Sequence, residues 1–103
     1  MRYESFDLEV NTSAGQFGAA QVVDRFWLKT VQAHGNFAGG WSVQLQGVVG
    51  SHDDWVDIGT PLTAASVVEV TGSYKRFRCK TVAAGTGAAT FITFAGQDLR
   101  VGE

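Results

Sequence analysis

One cysteine, one proline and one methionine stand among the 103 residues of this chain, and only 17% of residues are charged. Each scarcity excludes something. The lone Cys79 removes an intrachain disulfide framework and a cysteine-based zinc site. A free thiol also fits a reducing cytoplasm, or a particle assembled there. Pro61 falls where a turn or a sheet edge is expected. No run of about 18 apolar residues occurs, so no membrane-spanning helix is expected. Met1-Arg2-Tyr3-Glu4-Ser5 leads straight into an alternating segment, so a secretory leader is not expected either. With 8 Lys+Arg against 10 Asp+Glu, the net charge is −2. That lacks the basic bias of a nucleic-acid binder, so nucleic acid is not an expected partner. Few charges do not mean disorder here, because aromatic and β-branched residues are plentiful and the net charge is small. The length is that of a single domain over 1–103, enough to bury roughly 65% of its unfolded surface.

What is present is glycine, at short intervals, between segments rich in Val, Thr, Phe and Trp. Phe6, Leu8 and Val10 alternate with Asp7 and Glu9. Trp41, Val43 and Leu45 alternate with Ser42, Gln44 and Gln46. A period of two marks half-buried strands. Residues 55–58, 67–70 and 91–94 are further short strands, and 11–20 is a loop. Short strands with regular turn signals predict an all-β fold: a single antiparallel β-sandwich, jelly-roll or Ig-like, with Gly-rich loops.

Residues 19–33 also fit a helical period, and an internal match decides for strand. Residues 23–33 lie over 74–84 at a shift of 51, with Arg, Phe, Lys, Thr, Val and Ala at the same offsets. Each copy is followed by glycines and a second alternating strand, giving strand–loop–strand units over 23–47 and 74–96. Successive side chains alternate across a strand. Phe26, Leu28, Phe77 and Cys79 are therefore expected inside. Arg25, Trp27 and Lys29, with Arg76, Arg78 and Lys80, are expected outside. Six of the eight basic residues (these five and Lys75) lie in the two matched segments, so the small net charge hides a polarised surface. Two readings of the row remain open: a partner surface, or pairing with Asp7, Glu9 or Glu69 on a neighbouring strand.

Other constellations carry less. His52-Asp53-Asp54-Trp55-Val56-Asp57 holds metal-ligand types but lacks the oxygen ladder of a calcium loop, and is better read as a polar turn entering a strand. Cys79 beside Phe77 is expected to be an inert core thiol. Gly85-Thr86-Gly87 lacks the Lys and the helix of a phosphate loop. Trp41 and Trp55 are expected in the core, and Trp27 exposed as an interface anchor. No catalytic residue, cofactor or metal is predicted.

Three stretches carry a resemblance: Trp41-Ser42-Val43-Gln44-Leu45-Gln46-Gly47, Ser51 to Gly59, and Tyr74-Lys75-Arg76-Phe77-Arg78 followed by Thr86 to Thr90. Over about 22–98 the chain resembles small β-sandwich virion proteins of tailed bacteriophages. It departs from them by inserting Val48-Val49-Gly50 and by placing Asp54 at a turn position where glycine is usual. The resemblance implies a non-enzymatic virion component, foremost a head decoration (cement) protein. Its partners would be the major capsid protein or other virion proteins. It would self-associate as a homo-oligomer, a trimer among the options. Its Gly-rich loops 11–20 and 34–40 would reach a neighbour. The alternative is a tail or fibre module that binds carbohydrate through Trp27, Trp55 and Tyr74, with Asp53 and Asp57 on the hydroxyls.

Overall fold

The computed structural model describes residues 2–87 and 90–98. Eight strands follow in chain order: β1 (Arg2–Leu8), β2 (Gln21–Val22), β3 (Phe26–His34), β4 (Ser42–Val48), β5 (Val56–Asp57), β6 (Ser66–Val70), β7 (Arg76–Ala83) and β8 (Phe91–Asp98). They form two antiparallel sheets, β1-β8-β3-β6 and β2-β7-β4-β5, packed as a sandwich. The pairings β1–β8, β2–β7, β3–β6 and β4–β5 are those of one long hairpin doubled back between β4 and β5. Rolling that hairpin up adds β3–β8 and β4–β7. This is the winding of a jelly roll. An Ig-like sandwich, the other arrangement the pattern allowed, groups its strands differently.

The core is an aromatic cluster centred on Phe94. Its ring lies 4.9 Å from Phe6, 5.0 Å from Phe26 and 5.9 Å from Phe77, at tilted or edge-on angles that such rings prefer. Val31, Val43, Leu45, Cys79 and Ile92 fill the space around it. Gly96 is required here, because a Cβ on it would stand 2.7 Å from the Phe26 ring.

β7 follows its sequence pattern: Phe77, Cys79 and Thr81 are buried, while Arg76, Arg78 and Lys80 face outward. β3 does not. Phe26 is opposite Asp98 and Leu28 is opposite Gln97, so Trp27 is an extra residue, a β-bulge. One inserted residue reverses every face beyond it. Leu28, expected inside, is exposed, and Lys29, expected outside, is 5% exposed beside the core. The two matched segments therefore face alike only as far as Phe26 and Phe77. From Leu28 and Cys79 onward, equivalent positions point in opposite directions.

β4 departs too. Its polar positions are not solvated, because the chain around β5 folds over them. Gln44 Nε2 donates to the carbonyl oxygens of Leu45 at 2.9 Å and Ile58 at 3.2 Å, and Gln46 Nε2 donates to Asp57 Oδ1 at 2.9 Å. Segment 11–20 is a loop, as expected, yet it is bound along its length to the edge of β7. Gly15 N–H donates to Thr81 O, Gly18 N–H to Cys79 O and Thr81 N–H to Gln16 O. Segment 34–40 is likewise tied to the 85–87 turn through Thr86 N–H to Gly39 O.

Candidate functional site

The basic residues singled out in the sequence are divided between two places. Arg76, Arg78 and Lys80 lie on the outer face of the β2-β7-β4-β5 sheet. Arg25, Trp27 and Lys29 belong to the start of β3, in the other sheet. They do not form one surface.

On the β7 face, the Arg78 guanidinium is held between two rings. It lies 3.8 Å from the Phe17 centroid and 4.3 Å from the Trp55 centroid. Both distances are well inside cation–π range. Arg78 Nε donates to Gln46 Oε1 at 2.9 Å, which continues the chain to Asp57. Burial pulls the guanidinium below its ordinary value, with Asp53 opposing the fall and Arg76 adding to it; it remains a cation. Arg76 lies 5.1 Å from Trp55 and donates to His52 O and Asp53 Oδ1. None of Asp7, Glu9 and Glu69 pairs with this row among the described residues. Trp55, expected in the core, is instead part of the outer cover over the arginines.

His52 forms a polar turn: Asp54 N–H donates to its Nδ1 at 3.2 Å. No group of three or more His, Cys, Asp and Glu side chains among the described residues is gathered closely enough to hold a metal. Cys79 is fully buried, and desolvation pushes its thiol up to about 12. At neutral pH it is a thiol without nucleophilic character.

The outer face of the β1-β8-β3-β6 sheet is different again. Ser5, Leu28, Thr30, Gln32, Val67 and Ala95 line a shallow groove of about 400 Å³ without a charged side chain. At one margin, His34 Nε2 and Thr93 Oγ1 are 2.8 Å apart, and the Thr93 hydroxyl donates to Asp7 Oδ1 at 2.8 Å. The acid meets the hydroxyl and not the imidazole, so this chain is not the nucleophile–base–acid order of a triad.

At the start of β3, the bulge exposes Trp27 (49%) and Leu28 (45%) side by side. Trp27, Lys29, Tyr74 and Val49 line a cleft of about 580 Å³ against the 72–75 turn. Arg25 is bound to Glu4 at 2.9 Å on its rim.

Sequence reasoning missed Phe17, Gln46 and Val49 as members of these surfaces, while Tyr74, named with Trp27 in the carbohydrate alternative, lines the same cleft as Trp27. An isolated aromatic in a glycine-flanked polar loop was the available signal for Phe17. No local signal marks Gln46, whose position is set by a strand distant in sequence. Comparison with protein families, with curated proteins and with solved structures finds no match to this chain.

Proposed function

We propose that the protein is a non-enzymatic structural component of a bacteriophage virion, foremost a capsid decoration (cement) protein that binds and stabilises the head shell. The observation that carries this reading is the groove on the outer face of the β1-β8-β3-β6 sheet, which has no charged side chain in its lining and holds the exposed apolar Leu28 and Val67, with Asp7 and Glu69 at its margins. Loss of charge at the centre of a contact surface, with apolar groups around it, is what protein–protein contacts require. The resemblance in sequence supplies the particle. Stabilisation works by mass action: a protein that binds the assembled lattice and not the dispersed subunit shifts the equilibrium toward assembly.

The test is co-sedimentation of purified protein with heads that lack it, followed by heat or low-salt challenge. Wild type co-sediments and protects the heads. Gln32→Arg, which places a charge in the middle of the sheet face, retains its fold and loses both. Wild type left in the supernatant would refute the proposal. A second reading, a carbohydrate-binding tail or fibre module, is favoured by exposed Trp27 and by the use of jelly rolls in lectin domains. It cannot use Trp55 as a free stacking platform, since Arg76 and Arg78 lie over that ring. A glycan array scored by tryptophan fluorescence separates the two.

A further inference from the structure

Three uncommon features meet at the start of β3. The first is the bulge, a device that re-aims side chains and recurs at functional sites. The second is Lys29, a lysine 95% buried by its 5% exposure. Its ammonium has three protons to donate, yet a single acceptor is in place, the Gly72 carbonyl at 3.1 Å. Asp24 and Glu69 line the clefts on either side, but among the described residues no carboxylate comes within 4.0 Å of the ammonium. The third is a pair of exposed apolar side chains at the opening, Trp27 and Val49, the latter 63% exposed.

A partly buried ammonium without a counter-charge loses part of its hydration and is left under-compensated. Desolvation accordingly draws the Lys29 ammonium below its ordinary value. A straight strand would have sent Lys29 into water and spared that cost. The bulge turns it into the cleft wall, where it lines both the larger and the smaller opening. Lys75, bound to Ser51 Oγ at 3.2 Å, adds a second positive charge on the same wall.

We propose that the cleft between the β3 bulge and the 72–75 turn receives an acidic side chain from a partner protein. Its carboxylate meets Lys29, and the apolar neighbours of that acid pack on Trp27, Tyr74 and Val49. A protein segment fits better than a sugar acid. A protein segment offers an acid for Lys29 together with apolar neighbours for Trp27, Tyr74 and Val49, which line the same cleft. The proposal deepens the shell-binding reading by naming the chemistry of the partner, and it can fail independently of that reading.

The experiment selects a random heptapeptide display library on the full chain, with counter-selection on Lys29→Met. The winning peptide is then synthesised and titrated. Expected clones carry Asp or Glu beside an aliphatic or aromatic residue. The synthetic peptide binds at least tenfold more weakly to Lys29→Met and to Trp27→Ala, and the peptide with Gln or Asn in place of its acid binds at least tenfold more weakly to wild type. Lys29→Met should unfold at higher urea than wild type, which shows that its fold is intact. Should that variant not fold, the Trp27→Ala and acid-to-amide arms decide alone. Clones without an acid, no selected clone, or unchanged affinity for the variants would overturn the proposal. So would a glucuronate oligosaccharide that binds more tightly than the peptide and depends on Lys29. Peptide binding without head binding leaves the cleft standing and removes the shell. Head binding without any Lys29-dependent peptide does the reverse.

Discussion

Raising the pH from 8 to 10 should weaken this fold through one atom, the Cys79 sulfur. In the unfolded chain the thiol ionises near its ordinary value of 9.0, and in the fold desolvation holds it up to about 12. Between these values the unfolded state releases a proton that the folded state keeps. The folded state therefore binds more protons, and stability falls as pH rises. The loss is close to zero at pH 8. At pH 10, one pH unit above the unfolded value and well below the folded one, it reaches about 1.4 kcal/mol. For a domain of about 100 residues that lowers the melting temperature by roughly 6–10 °C. Other groups titrate over the same range, and Lys29 acts with the opposite sign. Its depressed folded value makes the unfolded state bind more protons, so it raises stability as pH increases. The measurement is therefore a difference. Urea unfolding of wild type and Cys79→Val, under reducing conditions, is followed at intervals from pH 7 to 10. Val matches the thiol in size and suits a strand. The gap between the two proteins should change by about 1.4 kcal/mol in favour of Cys79→Val across the range. A gap independent of pH would mean that the thiolate is accommodated in the fold, and the account of Cys79 as a sealed core group would be wrong.

Two further outcomes follow from the packing. Phe17 and Arg78 should couple by about 1 kcal/mol in a double-mutant cycle of Phe17→Ala and Arg78→Ala, since the contact is close and partly desolvated; additive losses would show the stack to be incidental. Gly47→Ala should destabilise by about 1–3 kcal/mol in urea unfolding, because the new methyl would stand 2.7 Å from the Tyr74 ring and 2.8 Å from Ile58 Cδ1; an unchanged midpoint would mean that the ring moves freely.

The strands were legible wherever a single residue-to-residue rule governs them. Alternation in 76–81 identified the inner and outer faces of β7 residue by residue. It failed in β3 because a bulge adds one residue that no periodic rule contains. The adjacent large apolar side chains Trp27 and Leu28 were the visible sign that alternation breaks there. It failed in β4 for another reason. Gln44 and Gln46 look solvated by local pattern, and they are buried by a segment more than ten residues away. Arg76, Arg78 and Lys80 were read correctly as outward-facing, Lys29 was not, and the groups that complete the β7 row were missed. Phe17 and Trp55 reach the arginines from loops, and their approach is a tertiary event. Carboxylates are the obvious partners in a list of residue types, while aromatic faces do not announce themselves as such.

The pairing of β1 with β8 has a consequence for how the protein comes into being. Arg2 lies against Asp98 and Leu8 against Ile92, nearly the whole chain apart. β8 also stands between β1 and β3, so the last of the described strands in chain order is an inner strand of its sheet. Until β8 has been made, β1 has no partner and β3 lacks one of its two neighbours. The Phe94 hub of the core is missing as well. Folding of this sheet must wait for β8 and then close its most distant contacts, which places it among the slower two-state folders, on the scale of milliseconds to seconds.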